Sequence, residues 1–347
     1  MNQTAASVPI GPPPPSAPAL ERWLWRLRRW WPPFNFLLGV ASFLLVNRQV
    51  AMGSWIAGFL MLSWLLILFE GTLGRWLSAW RPDWAKASPW MLRFLTQGVH
   101  QESFFFALPF LLHTTTWTSP QALFTLVVAG AALASMWDPF YYGRIGHRAG
   151  VFLAYHALAV YVTMLVLLPA LGHVTTQTTT VIAAIAIALL SVPSLAQLFD
   201  RRRWWRWLAM FAGAGALGFA ALLAAPFVPP ATLWISQGVV SQSVDVAERA
   251  PGAEVRRLSE EQLRAQGLYA YSAIRAPRGL RESVYHRWML NGQEIDRIPL
   301  HIEGGREQGY RAWTRKTGFP ADARGRWQVQ VITDGGQLIG EMRFRVE

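Results

Sequence analysis

The stretch Arg201–Pro230, RRRWWRWLAMFAGAGALGFAALLAAPFVPP, decides how this chain is read. Arg201, Arg202, Arg203 and Arg206 come first, interleaved with Trp204, Trp205 and Trp207. An apolar run from Trp207 to Val228 follows, the length of about 20 residues that a helix needs to cross a bilayer core. Pro229-Pro230 ends it, because proline lacks the amide proton a continuing helix requires. Beyond the prolines the apolar spacing changes from helical to alternating. The chain therefore divides into an apolar helical half and a soluble strand-rich half.

Composition supports the division. Residues 1–230 hold 15 Lys+Arg against 6 Asp+Glu, and residues 231–347 hold 17 against 14. The 347-residue chain is 52% hydrophobic and only 15% charged, which excludes a disordered protein. It has no Cys, so disulfides, zinc–thiolate sites, iron–sulfur clusters and cysteine nucleophiles are excluded.

Upstream, residues 1–20 are rich in Pro, Ser and Ala and read as a flexible tail. Glu21–Trp31, ERWLWRLRRWW, reads as a short interfacial helix opening a membrane domain over 21–230. Six further apolar segments precede or adjoin the quoted stretch: Phe34–Val46, Ala51–Phe69, Ser103–Trp117, Ala122–Trp137, Gly150–Leu171 and Thr179–Phe199. With Trp207–Val228 they predict an α-helical transmembrane bundle of about seven spans. Lys and Arg in the successive flanks and connections number 4, 1, 4, 0, 2, 0 and 4. Cytoplasmic loops are enriched in these residues. The alternation predicts a cytoplasmic N-terminus and an exported C-terminal half. Twelve of the 19 Trp flank the same proposed cytoplasmic ends, as headgroup-level rings do. The net charge of +12 is thus mainly a topology signal and does not imply nucleic acid.

In the second half, Leu338, Met342, Phe344 and Val346 alternate with Ile339, Glu341, Arg343 and Arg345, and Trp327, Val329 and Val331 alternate with Gln328, Gln330 and Ile332. This period of two marks half-buried strands. Asp334-Gly335-Gly336 and Asn291-Gly292 read as hairpin turns. Ser259-Glu260-Glu261-Gln262 reads as a capping box. About seven short strands over 231–347 predict an antiparallel, immunoglobulin-like β-sandwich.

The stretches APRGL (276–280), YHRW (285–288), GGREQGYRAWTRK (304–316), GRWQVQVITDGGQLIG (325–340) and FRV (344–346) resemble a bacterial module known as domain of unknown function 2914. The helical half resembles the multi-span region often found ahead of that module. The resemblance implies a protein of the bacterial inner membrane with a periplasmic β-rich domain. It implies no activity, and no catalytic residue is carried over.

Candidate sites follow from chemistry. Arg311, Trp313 and Arg315 share one strand face, a ridge suited to an anionic glycan, a lipid headgroup or an acidic edge of another envelope protein. The simpler reading is an Arg–Trp stack covering an outer sheet face. His286 and Trp288 share a face with Val284 and Leu290, at a core edge or a groove. Among the helices, Glu102, Asp138 and His156 are ionisable and mark a conceivable proton or ion path; interface-level charges and one packed His are the simpler reading. His100 lies two residues before Glu102, a spacing that does not face it on a helix. GAGALG at 213–218 formally fits a dinucleotide fingerprint, but follows no strand and reads as close helix packing. No phosphate loop, metalloprotease helix or nucleophile elbow occurs, and neither a metal nor a cofactor is expected. The sequence therefore favours a non-catalytic binding or assembly module, with a transporter or membrane enzyme and a structural scaffold as the rivals.

Overall fold

The computed structural model describes residues 19–27, 30, 33–34, 37, 41, 79, 88–198 and 204–347. The expected tail up to residue 18 and nearly all of the expected spans at 34–46 and 51–69 lie outside the described residues.

The helices are α1 (Ala19–Leu27), α2 (Ser88–Thr114), α3 (Gln121–Met136), α4 (Ala149–Gly172), α5 (Thr176–Leu198), α6 (Trp204–Leu223) and the short α7 (Glu260–Gln266). Two of them are long and apolar enough to cross a membrane, Gly150–Gly172 of α4 and Trp204–Leu223 of α6. A third is reached only if α3 and the turn-like helix Asp138–Ile145, bent by 99° against it, count as one span. This corrects the expectation of about seven spans. The reason is length and polarity. The apolar part of α5 covers only Thr176–Val192. In α2 the run Thr96–Ser103, TQGVHQES, interrupts the apolar sequence with polar residues.

The structure divides into two compact units. One gathers the described residues up to Pro109 with Leu126–Met164 and Ala183–Ala221; the other gathers Phe110–Thr125, Leu165–Ile182 and Leu222–Glu347. In the helical unit, α4 supplies much of the interior, with Ala159, Val160, Tyr161 and Val162 buried. The helices α5 and α6 meet where Gly218 faces Ala184, and a Cβ on Gly218 would lie 2.8 Å from the Ala184 carbonyl oxygen. The glycine pattern in α6 is thus a packing device at its last position, whereas Gly215 has open space beside it.

The second unit carries the strands β1 (Trp234–Ser241), β2 (Val244–Asp245), β3 (Ala250–Pro251), β4 (Arg257–Leu258), β5 (Leu268–Arg275), β6 (Arg281–Leu290), β7 (Gln293–Glu303), β8 (Tyr310–Lys316), β9 (Gly325–Thr333) and β10 (Leu338–Val346). Eight of them form two larger sheets, one in the order β1-β5-β8 and another in the order β4-β10-β9-β6-β7, and β2 pairs with β3. Inward residues of both sheets share one core, from Ala270 and Ile274 on the first to Trp288, Trp327, Val329 and Phe344 on the second. The β-rich part therefore agrees with the expected sandwich. Its seven long strands divide three and four, with the fourth, β7, placed beside the third. The Ser259 capping box forms as read, with the Gln262 amide donating to Ser259 Oγ at 3.2 Å. One irregularity breaks the alternation in β10: a bulge between Leu338 and Gly340 lets Leu338 and Ile339 both be buried.

The close approach of Gly218 yields a test. Gly218→Val is expected to force α5 and α6 apart at a cost of about 1–3 kcal/mol, as overpacking does. Thermal melts in detergent should show a lowered Tm for Gly218→Val and little change for Gly215→Ala.

Candidate functional site

The polar interruption in α2 is where the helical unit concentrates its chemistry. His100 is fully buried, and its Nδ1 lies 2.7 Å from the Tyr141 hydroxyl. Its Nε2 lies 3.1 Å from Nδ1 of His156 on α4. His156 is 6% and Tyr141 2% exposed. Rings close the surroundings: Phe152 and Tyr155 meet His100 edge-on, with centroids 5.6 and 5.1 Å away, and Phe104 packs on Tyr155.

One turn earlier on α2, Gln97 donates from Nε2 to Asp138 Oδ1 at 2.6 Å and to the Ser135 carbonyl at 2.9 Å. The Tyr142 hydroxyl donates to Gln97 Oε1 at 2.6 Å. Gln101 Nε2 donates to the same Ser135 carbonyl, also at 2.6 Å. Ser135 stands in the last turn of α3, where carbonyls lack helical partners. The side chains of α2 thus tie down the break between α3 and α4.

Of the three polar residues singled out among the helices, His156 and Asp138 join this network, and Glu102 is buried on the neighbouring turn of α2. His100 bonds Tyr141 and His156, as expected for a residue that does not face Glu102. Sequence reasoning placed neither His100 nor Tyr141 in a site. They lie 41 positions apart, and the only signal available was the polar run itself. Among the described residues, no group of three His, Asp or Glu side chains is arranged to hold a metal.

In the sandwich, His286 and Trp288 lie wholly inside the core. His286 bridges the sheets: Nε2 lies 2.9 Å from Ser272 Oγ on β5, and Nδ1 lies 2.8 Å from Thr314 Oγ1 on β8. Burial pushes its pKa down to about 3, so it is neutral at pH 7. The ridge is on the outer face of β8, where Arg311, Trp313 and Arg315 oppose Ala273, Tyr271 and Tyr269 on β5. Trp313 stacks on Tyr271, and the Arg315 guanidinium sits 5.4 Å from the Tyr269 ring centre. Arg311 donates to the Glu248 carbonyl at 3.1 Å and to Gln308 Oε1 at 2.6 Å. Arg311 is thereby engaged with the neighbouring loops, while Arg315 is exposed.

A carboxylate not singled out from sequence completes the picture. Glu282, on the inner face of β6, is 3% exposed. It accepts from the Thr176 backbone N–H and from Thr176 Oγ1, both at 2.9 Å. Thr176 opens α5, so Glu282 caps a helix N-terminus from a distant strand, satisfying an orphan donor and meeting the positive end of the dipole. It lines a cleft of about 380 Å³ with Thr175, Gln177, Ser283, His301 and Asp334. Burial raises the Glu282 carboxyl above its usual range; the Thr176 hydrogen bonds oppose this and Asp334 adds to it.

Comparison with known families adds an assignment. Residues 16–270 match a family described as "Family of unknown function (DUF5924)". The chain belongs to the DUF5924 family. Residues 281–346 match "Protein of unknown function (DUF2914)". No curated protein and no solved structure matches the chain. The DUF5924 stretch carries the His100–His156 network and ends inside β5; the DUF2914 stretch begins at β6. The sheet β1-β5-β8 therefore draws strands from both matched stretches.

Two outcomes are expected. An unfolded histidine titrates near 6.5 and folded His286 near 3, so between those values the unfolded chain binds more protons. This contribution to stability is whole above pH 6.5 and falls towards pH 3, by up to ~1.4 kcal/mol per pH unit. Glu282 acts oppositely, because a raised folded pKa lets the native state take up the proton first as pH falls. Denaturant melts at pH 7 and 4.5 should show the loss, and Glu282→Gln should enlarge it. Separately, Glu282→Ala leaves the Thr176 N–H uncapped and should cost about 1–2 kcal/mol at pH 7, read from the same melts.

Proposed function

We propose that this DUF5924 chain is an integral membrane protein that holds a β-sandwich binding or assembly module on the non-cytoplasmic side, which in a bacterial inner membrane is the periplasm. The observation that carries this reading is the apolar surface of the helices. Leu123, Leu126, Val127 and Leu133 of α3 are exposed, as are Ile185 and Leu189 of α5. On α6, Leu208, Phe211, Phe219, Leu222 and Leu223 are exposed too. Apolar surface this extensive is costly in water and calls for lipid.

Charge at the two ends of α6 supports the orientation. Arg201, Arg202, Arg203 and Arg206 surround the start of α6, and none follows it before the sandwich. By the positive-inside tendency the sandwich emerges on the far side. Its outer ridge of Arg311, Trp313 and Arg315 suits an acidic partner at the membrane surface, a glycan, a lipid headgroup or another envelope protein.

The test is direct. The full chain should stay with membranes after alkaline carbonate washing, and a phosphatase reporter fused after Glu347 should be active. Release by carbonate would overturn membrane integration. A reporter silent after Glu347 but active when fused within the loop around His147 would overturn the orientation.

A further inference from the structure

The row Tyr141–His100–His156 is more than a way of packing three polar rings. Each imidazole has one nitrogen that donates and one that accepts, so a hydrogen-bonded row of them passes a proton by exchanging tautomers. The spacings, 2.7 and 3.1 Å, are hydrogen-bond distances at both links. The row is sealed by Phe104, Phe152 and Tyr155, where an apolar pair would avoid the desolvation that two imidazoles suffer. A second observation points the same way. Ser103, three residues beyond His100, and Thr163, seven beyond His156, lie on the same helix faces as the histidines. Their hydroxyls are buried and have no hydrogen-bond partner among the described residues. These hydroxyls are donors and acceptors that water would satisfy.

We propose that Tyr141, His100 and His156 form a proton relay, and that the helices of this chain carry protons across the membrane. The Tyr141 hydroxyl gives its proton to His100 Nδ1 as it takes another from a hydronium ion that reaches it. His100 passes its Nε2 proton to His156 Nδ1, and His156 releases the proton on its own Nε2. Each imidazole ends neutral in its other tautomer, the released proton passes to water, only O–H and N–H bonds are exchanged, and one proton has advanced; a flip of each ring about its Cβ–Cγ bond resets the row for the next. The groups around the row are Glu102 and Gln97 on α2, Asp138 and Tyr142 at the break after α3, and Tyr155 on α4. The inference rests on the helices being membrane-embedded.

The experiment uses the purified full chain in phosphatidylethanolamine–phosphatidylglycerol vesicles loaded with a pH-sensitive dye. Flotation on a density gradient is measured first, then the decay of an imposed pH gradient under a potassium–valinomycin clamp. The wild-type protein should float and collapse the gradient faster than empty vesicles do. His100→Gln and His156→Gln should float but lose that excess flux. Tyr141→Phe keeps the ring and its packing, and should lose it as well. Failure of the wild-type chain to float overturns the membrane reading and the relay with it. A floating wild-type protein with no excess flux, or a Tyr141→Phe variant with undiminished flux, overturns the relay alone.

Discussion

Trp288 and Trp327 meet edge-on with ring centres 6.4 Å apart in the middle of the sandwich, and the β-rich unit is arranged around that contact. Phe344 stacks on Trp327 at 5.8 Å, and Phe319 closes the cluster from the side. Aromatic side chains of this size dominate a core, and the Trp327 indole N–H is satisfied by the Ala323 carbonyl at 2.8 Å. Because Trp288 and Trp327 sit on neighbouring strands, β6 and β9, their burial sets which face of the second sheet points inward. A slip of one residue in either strand would turn its Trp outward. Within the same interior Ser272, His286 and Thr314 bond one another, whereas the Trp288 indole N–H has no hydrogen-bond partner among the described residues.

The same accounting governs the helices. Buried polar side chains need partners, and the run Thr96–Ser103 finds several of them at the break between α3 and α4. Gln97 and Gln101 converge on one carbonyl, that of Ser135, while His100 reaches Tyr141 and His156. A rigid network in an apolar bundle holds a particular geometry for those groups. Glu282 obeys the rule in the other unit. A carboxylate with little access to water is tolerated there because a helix N-terminus supplies two donors.

The two matched stretches add a constraint on folding. Strands β1 and β5 begin the first sheet before residue 281, and β8 completes it after that point. Leu233, Val240 and Leu268 from the earlier stretch pack in one core with Val284, Trp288 and Val331 from the later one. Neither stretch closes this core alone, so the sandwich is a joint product of both.

Local pattern alone determined much of this protein. Period-two alternation located the long strands after β1, Ser259 and Gln262 announced a capping box, and the change of spacing after Pro230 separated helices from strands, because each of these depends on neighbours a few residues apart. The number of spans was overstated, because apolar segments can be counted from composition while the polar run in α2 and the apolar length of α5 decide what can cross. Ile339 is buried because a bulge shifts the register of β10, which alternation cannot announce. The bonds of His100 to Tyr141 and His156, of His286 to Ser272 and Thr314 on the facing sheet and of Glu282 to Thr176 link residues between 14 and 106 positions apart. Only tertiary structure decided them, since such pairs meet through the packing of whole elements and leave no spacing in the sequence.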